Sequence, residues 1–151
     1  MKFVIQRVKQ ASVKANGQLT GTIEKGYLIL IGVCDADTTA TADKMIKKTA
    51  ALRIFQDENG KTNLSVKDVN GALLLVSQFT LYADCKKGNR PSFIKSGSPE
   101  HANALYEYII HEFSFSYDLP VQTGIFGADM DVSLINDGPF TIMLDSEELF
   151  A

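Results

Sequence analysis

Residues 72–81, ALLLVSQFTL, decide the fold, because a run of five apolar residues passes directly into polar ones. An apolar run of this length is typical of a strand that is covered on both faces. Residues 27–33, YLILIGV, form a second run of the same kind. Two such strands predict a sheet with helices packed against it. The polar residues after position 76 then lie at a carboxyl end of that sheet.

Hydrophobic periodicity around these two runs predicts further strands and two helices. Alternating or apolar segments predict strands over residues 2–8, 12–14, 18–24, 27–33, 52–56, 72–76, 121–126, 131–135 and 140–144. The Asn16-Gly17 pair supplies a tight turn for an N-terminal hairpin. Helical spacing predicts one helix over 38–52, and a second helix begins at Ser98. The chain is therefore predicted to be a single α/β domain, residues 1–151, with one mixed sheet and two main helices.

The totals are those of an ordinary globular domain, with 45% hydrophobic and 22% charged residues in 151. A net charge of −3 argues against a protein that coats nucleic acid indiscriminately, yet a local basic patch can still grip one end of an RNA. Cys34 and Cys85 lie too far apart in sequence to indicate a disulfide framework or a zinc site. Gln6 and Arg7 interrupt the first apolar run too early for a signal peptide, and no stretch approaches the ~20 apolar residues that span a bilayer. We therefore expect a cytoplasmic protein with no membrane partner.

The sequence lacks the motifs of side-chain catalysis. It contains no P-loop, no G-x-G-x-x-G, no G-x-S-x-G elbow and no H-E-x-x-H, and no cofactor or metal site is predicted. His101 and His111 fall on the second predicted helix, where we expect them to face solvent near its ends. A Ser-His or Cys-His dyad is therefore disfavoured. If the chain is an enzyme, catalysis rests on positioning and on oxyanion stabilisation by fixed dipoles.

Polar residues follow the buried strand over residues 72–76. In α/β sheets, ligands bind in the crevice beyond the carboxyl ends of the strands, so Ser77, Gln78 and Thr80 are candidate site residues. The alternative is that Ser77 and Thr80 cap local backbone groups while Phe79 fills the core. The residue types alone favour neither interpretation.

Residues 136–139, NDGP, are predicted to be a turn that joins the last two strands. Asn, Asp, Gly and Pro all favour turns, and a simple hairpin loop is the better interpretation from spacing alone. An X-Pro bond also adopts the cis form at a cost of only ~0.5–1 kcal/mol. A cis bond between Gly138 and Pro139 would direct neighbouring carbonyls to one side, where they suit the ammonium group of a ligand.

Both segments resemble signatures of one family. Residues 77–81 match the S-Q-F-T-L signature of the D-aminoacyl-tRNA deacylases, and residues 136–141, NDGPFT, match their N-x-G-P-x-T signature. The likeness extends over essentially the whole chain. It includes the blocks IQRV at 5–8, LRIF at 52–55, NLSV at 63–66, KGNRPSF at 87–93 and FGADM at 126–130. The chain departs from the pattern at Phe140, where many relatives carry a smaller aliphatic residue, and at Cys85, where a hydroxyl residue is common.

The resemblance implies hydrolysis of the ester that joins a D-amino acid to the terminal adenosine of tRNA. It implies a homodimer in which the C-terminal strands form the interface and each active site lies between the two subunits. It assigns catalysis to Ser77, Gln78, Phe79 and Thr80. The Phe79 amide is the expected oxyanion donor, whereas Thr80 as a covalent nucleophile is disfavoured because no base is available to activate it.

The resemblance also assigns chiral selection and ester hydrolysis to different segments of the chain. Gly138 and Pro139, supplied by the second subunit, are expected to fill the space into which an L side chain would project. Glycyl-tRNA, including glycine mischarged on alanine tRNA, is then expected to be accepted, because glycine has no side chain to clash. The supporting residues are Arg7, Asn136, Asp137 and Thr141.

Cations in the predicted loop over 83–97 are the candidate RNA contacts. Lys86, Lys87 and Arg90 lie there together with Lys95. A solvated, solubilising loop is the alternative that the sequence alone slightly favours, whereas the resemblance favours phosphate contact. No DNA ligand is expected.

Two rival functions stay open at this point. The first is a non-catalytic tRNA- or ribosome-binding module on the same fold, which D-selective turnover would exclude. The second is a metabolic hydrolase of small D-amino acid esters or amides, which is disfavoured because the sequence offers no nucleophile-base pair.

Overall fold

Eight strands, three α-helices and one 3₁₀ turn form the chain, and the computed structural model describes all of residues 1–151. The strands are β1 Lys2–Ala15, β2 Gln18–Ile23, β3 Gly26–Gly32, β4 Phe55–Gln56, β5 Thr62–Leu64, β6 Ala72–Ser77, β7 Val121–Thr123 and β8 Met130–Asp145. The helices are α1 Thr39–Ala51, α2 Pro99–Phe115 and α3 Ser146–Phe150, and the 3₁₀ turn is Phe79–Tyr82. No helix is both long and apolar enough to cross a membrane.

The main sheet is mixed and runs in the order β2-β1-β3-β6-β7, with β8 paired to the other edge of β1. β6 lies between β3 and β7 and is parallel to both, whereas the pairs of β1 are antiparallel. The sheet curls until β2 meets β7. A Cβ at Gly21 would lie only 2.9 Å from the Thr123 carbonyl oxygen, so glycine permits this approach. The predicted mixed α/β domain is confirmed.

Two apolar clusters cover the two faces of the sheet. Leu73 and Leu75 of β6 belong to the larger one, together with buried residues of α1 and α2. Leu74 and Val76 belong to the smaller one, which lies on the concave side of the curled sheet. Successive side chains of a strand point to opposite faces. A strand between two apolar layers is therefore apolar at every position, which is the pattern seen at 72–76.

One prediction about the C-terminal strands was wrong. Residues 131–135 and 140–144 are not two strands joined by a turn, because both belong to β8, which runs antiparallel to β1 along its whole length. The register passes from Gln6 opposite Thr141 to Val8 opposite Asn136. Residues 137–140 thus form a bulge opposite Arg7, and the chain continues in one direction because both flanks pair with the same strand.

Smaller differences concern short elements and the histidines. Of the strand predicted over 52–56, only Phe55–Gln56 pairs, with β5 as its partner. The short elements β5 and α3 were not predicted. His111 is exposed as expected, whereas His101 is half-buried, with its Nε2 atom 2.9 Å from the Asp37 carbonyl oxygen.

Candidate active site

The end of β6 forms an abrupt turn. Ser77 is the last strand residue, and the Gln78 amide donates to the Ile31 carbonyl at 2.7 Å, which fixes the exit from the sheet. The next residues wind into the 3₁₀ turn, in which the Ala83 amide donates to the Thr80 carbonyl at 3.0 Å. The polar segment therefore lies at the carboxyl end of a central strand, as the sequence predicted.

Two backbone amides of this turn have no acceptor. The N–H groups of Phe79 and Thr80 make no hydrogen bond within the protein, because the first amides of a helical turn have no carbonyl before them to bond. Both residues are exposed, Phe79 to 56%. Neighbouring fixed amides that face solvent can stabilise an oxyanion.

The hydroxyl of Thr80 is engaged by a neighbour. The side-chain amide of Gln78 donates to Thr80 Oγ1, and no basic side chain contacts that oxygen. This arrangement leaves Thr80 without the base that nucleophilic catalysis needs. The site therefore offers backbone dipoles in place of an activated side chain.

The loop after the turn folds back and holds it. The Ser96 hydroxyl donates to the Phe79 carbonyl at 3.0 Å, and the Phe93 ring meets the Phe79 ring edge-on at 5.0 Å. The Gly97 amide donates to the Val33 carbonyl at 2.8 Å and anchors the loop to the end of β3. Sequence reasoning missed Ser96, because a contact across seventeen positions leaves no local pattern.

A cavity of about 740 Å³ opens beside the turn. Its walls include Ser77 and Phe79 on one side and Tyr106 and Phe126 on the other. Tyr106 is 2% exposed, and its hydroxyl donates to the Leu75 carbonyl at 2.7 Å. Burial raises the pKa of this phenol, so it stays protonated and keeps its role as a donor. Apolar walls with a few polar groups suit an organic ligand of nucleoside size.

The second segment forms the outward bulge of β8. Gly138 and Pro139 are exposed, and the peptide bond between them is cis. Gly138 has a φ of 127°, and a Cβ there would lie 2.8 Å from Arg7 Nη2. The positive φ favours glycine at this position, and a Cβ would press on the end of the Arg7 side chain.

Arg7 supports the bulge from beneath. It is 6% exposed, its Nε donates to the Asp137 carbonyl at 3.1 Å, and its Nη1 donates to the Ile54 carbonyl at 2.6 Å. The Asp137 carboxylate lies 3.7 Å from Nε, and the guanidinium stacks 4.6 Å from the centre of the Phe140 ring. The bulge is thus tied to β1 and to the segment before β4.

Asn136 closes the base of the bulge. Its Oδ1 accepts the Phe140 amide at 3.0 Å, and its Nδ2 donates to Gln6 Oε1 at 2.7 Å and to Thr141 Oγ1 at 3.2 Å. Within one chain, Arg7, Asn136, Asp137 and Thr141 therefore surround the Gly138-Pro139 dipeptide. The dipeptide does not line the cavity at the end of β6.

Three cations of the loop over 83–97 are free of ion pairs. Lys86, Lys87 and Arg90 are exposed, whereas Lys95 pairs with Asp84 at 3.2 Å. The backbone amide of Lys86, and then the ammonium group of Lys95, hold the pKa of Asp84 below its usual value. Asp84 thus orders the loop that carries the free cations. No three His, Cys, Asp or Glu side chains lie close enough together to hold a metal ion.

Comparison with known proteins agrees with this geometry. A family model described as D-Tyr-tRNA(Tyr) deacylase matches residues 4–145. A D-aminoacyl-tRNA deacylase of Thermosipho melanesiensis is 50% identical over 150 residues, which are 99% of this chain and 100% of the relative. Another from Flavobacterium johnsoniae is 51% identical over 147 residues, which are 97% of this chain and 98% of the relative.

Solved structures share the fold. A protein described as c-Myc DNA Unwinding Element Binding Protein superposes with a TM-score of 0.89 at 39% identity, over 96% of this chain and 98% of its own. A probable eukaryotic D-amino acid tRNA deacylase superposes with a TM-score of 0.83 at 17% identity, over 95% of this chain and 97% of its own. The second likeness bears on the fold alone.

Proposed function

The chain belongs to the D-Tyr-tRNA(Tyr) deacylase family and hydrolyses the ester bond of D-aminoacyl-tRNA, and on this premise we propose that the reaction takes place at the 3₁₀ turn after β6. The observation that carries the proposal is the pair of unpartnered amides of Phe79 and Thr80. They supply the fixed dipoles that ester hydrolysis needs where no activated side chain is present.

In the proposed mechanism, water attacks the ester carbonyl and the carbonyl oxygen takes up the negative charge. The Phe79 amide donates to this oxygen, with the Thr80 amide beside it, while Ser77 and Gln78 shape the rim of the site. The water loses a proton as its oxygen bonds the carbonyl carbon, and the neighbouring ribose hydroxyl relays this proton. The ester C–O bond then breaks, and the ribose oxygen leaves with that proton. The 740 Å³ cavity is the proposed seat of the terminal adenosine, because its aromatic walls suit a base and its rim carries the turn.

Proline substitution tests the amide directly. Phe79→Pro removes the donor, and proline is tolerated at the first position of a helical turn. Phe79→Ala is the matched control, since it removes the same ring and keeps the N–H. We expect Phe79→Pro to hydrolyse D-tyrosyl-tRNA about 10²–10³-fold more slowly than Phe79→Ala. Equal rates for the two variants would overturn the assignment, and tRNA binding with no hydrolysis by the wild type would favour the binding-module alternative.

We propose that the active unit is a homodimer and that Gly138 and Pro139 reach the turn of the other subunit. Two observations support this: the dipeptide is exposed and lies apart from the cavity of its own chain, and the outer edge of β8 has no strand partner. Ile135 and Met143 add exposed apolar surface along that edge. Edge strands with such surface are prone to pair with another chain.

Dimers that combine two variant subunits test whether the dipeptide of one subunit completes the site of the other. We expect Pro139→Ala to relax selection against L-tyrosyl-tRNA. In a mixed dimer, the Pro139→Ala subunit keeps a wild-type turn and the Phe79→Pro subunit keeps a wild-type dipeptide. If each site takes its turn and its dipeptide from different subunits, one of the two sites is then fully wild-type. An excess of Phe79→Pro should therefore restore D-selectivity to the mixture. Selectivity that stays relaxed at every ratio would contradict a shared site.

The proposed selectivity for D-substrates rests on steric exclusion of L side chains. A dipeptide that occupies the space of an L side chain leaves D side chains free and has nothing to reject in glycine. We propose that glycyl-tRNA, including glycine on alanine tRNA, is also a substrate. Equal resistance of glycyl-tRNA and L-alanyl-tRNA to hydrolysis would contradict this account.

Lys86, Lys87 and Arg90 are the proposed contacts to tRNA phosphates. Their loop is joined to the turn through the bond from Ser96 to the Phe79 carbonyl. The net charge of −3 favours a locally gripped RNA end over a long duplex, so we propose no DNA ligand, although one solved relative is described as DNA-binding. The cytoplasm is the proposed compartment, because translation supplies the substrate there.

A further inference from the structure

The ring of Phe140 lies against the flat face of the Arg7 guanidinium, with 4.6 Å between the central carbon of the guanidinium and the ring centroid. From this contact we propose that Phe140 is a positioning residue for the Gly138-Pro139 dipeptide and controls chiral selectivity through Arg7. The inference rests on the proposed role of the dipeptide in excluding L-substrates.

Hydrogen bonds hold Arg7 only within the plane of its guanidinium. Nε donates to the Asp137 carbonyl and Nη1 to the Ile54 carbonyl, and donors of this group lie in one plane. A tilt of the guanidinium about the line through Nε and Nη1 stretches neither bond. The Phe140 ring covers one face and opposes such a tilt, and the burial of Arg7 keeps water from weakening the attraction.

Phe140 is itself held in place. Its amide donates to Asn136 Oδ1 at 3.0 Å, and its half-buried ring packs against the larger apolar cluster. The dipeptide is therefore bracketed by two residues that both meet at Arg7: Asp137 through its carbonyl and Phe140 through its ring. A Cβ at Gly138 would lie 2.8 Å from Arg7 Nη2, which shows how closely the guanidinium abuts the dipeptide. A tilt of Arg7 would move the Asp137 carbonyl that it bonds, and with it the neighbouring Gly138.

The test compares hydrolysis of D-tyrosyl-tRNA and L-tyrosyl-tRNA by three variants. Phe140→Leu keeps apolar volume and loses the ring face, whereas Phe140→Tyr keeps both. We expect Phe140→Leu to lower the D/L ratio of kcat/KM between about 2- and 30-fold, the range that a cation–π contact supplies. The loss should come mainly from faster L-hydrolysis, and Phe140→Tyr should keep the wild-type ratio. Pro139→Ala, measured beside them, reports on the dipeptide itself.

A double-mutant cycle tests whether Phe140 acts through Arg7. In an Arg7→Lys background the guanidinium plane is absent, so Phe140→Leu should have little further effect on the ratio. An unchanged ratio in Phe140→Leu, with a relaxed ratio in Pro139→Ala, would overturn the role of Phe140 and leave the proposed function intact. An unchanged ratio in Pro139→Ala would overturn the role of the dipeptide and, with it, this inference. Thermal melting verifies folding, and Phe140→Met replaces Phe140→Leu if the latter does not fold.

Discussion

Removal of one buried hydroxyl, in Tyr106→Phe, should destabilise both the fold and the turn proposed to be catalytic. Tyr106 lines the cavity, and its hydroxyl donates to the Leu75 carbonyl at 2.7 Å. Leu75 precedes Ser77 by two positions in β6, so this bond holds the strand where it enters the site. The substitution removes the oxygen and leaves the ring to fill the same space.

The expected loss of stability depends on the hydrogen bonds that the Leu75 carbonyl keeps in Tyr106→Phe. The Leu75 carbonyl still accepts the Gly124 amide at 3.3 Å, so it loses one of two donors and is not left unpaired. The loss is therefore that of one neutral hydrogen bond, about 0.5–1.5 kcal/mol. In a chain of this size, 1 kcal/mol lowers the melting temperature by about 2–4 °C. We also expect a severalfold lower kcat with little change in KM, because the turn is displaced more often.

Tyr108→Phe is the matched control on the same helix. Its hydroxyl bonds the Asp43 carboxylate at 2.6 Å in an exposed contact, far from the turn. Denaturant unfolding and single-turnover hydrolysis of D-tyrosyl-tRNA should separate the two variants. The reasoning is refuted if Tyr106→Phe matches the wild type in both assays, or if Tyr108→Phe lowers kcat as much.

Three further outcomes are expected. Ser96→Ala removes the donor to the Phe79 carbonyl and should lower kcat severalfold, whereas Ser96→Thr keeps a hydroxyl and should restore it. Unchanged single-turnover rates in Ser96→Ala would contradict this role. Lys86→Glu and Lys87→Glu should raise KM for D-tyrosyl-tRNA and reduce its dependence on salt, whereas an unaltered salt slope would speak against phosphate contact. The pKa of Asp84 is lowered in the folded chain by the Lys86 amide first, so its stabilising effect is present above about pH 4 and lost as the pH falls further. The stability difference between wild type and Asp84→Asn should accordingly shrink below that pH in denaturant unfolding.

The buried strands and the polar strand end could be predicted because the pattern of a few consecutive residues indicates each of them. The apolar run at 72–76 reports burial on both faces, and the abrupt change at Ser77 reports where the strand leaves the core. Helix ends were equally readable, since Ser98 caps α2 by accepting the His101 amide. These signals need no knowledge of distant parts of the chain.

The continuity of β8 could not be predicted, because it depends on pairing with a strand more than a hundred residues away. Residues 136–139 carry every local sign of a turn, yet both flanks find the same partner in β1 and the residues bulge outward. The contact of Arg7 with the Ile54 carbonyl and that of Ser96 with the Phe79 carbonyl are also non-local, across 47 and 17 positions. Both connect a side chain to a backbone oxygen, and a backbone oxygen leaves no mark in the sequence.

The proposed site is built from backbone amides, which shifts sensitivity to mutation away from the residues that touch the substrate. Side-chain substitution at Phe79 leaves its N–H in place, so only proline removes the donor. The orientation of that N–H depends on Ser96 and Tyr106, which bond carbonyls on either side of it at 3.0 and 2.7 Å. Arg7 serves the dipeptide in the same way. On the proposed assignment, the side chains that bond backbone carbonyls behind the turn and the dipeptide position the reacting groups. Substitutions of Ser96, Tyr106 and Arg7 should therefore alter rate and selectivity more than most other substitutions around the cavity.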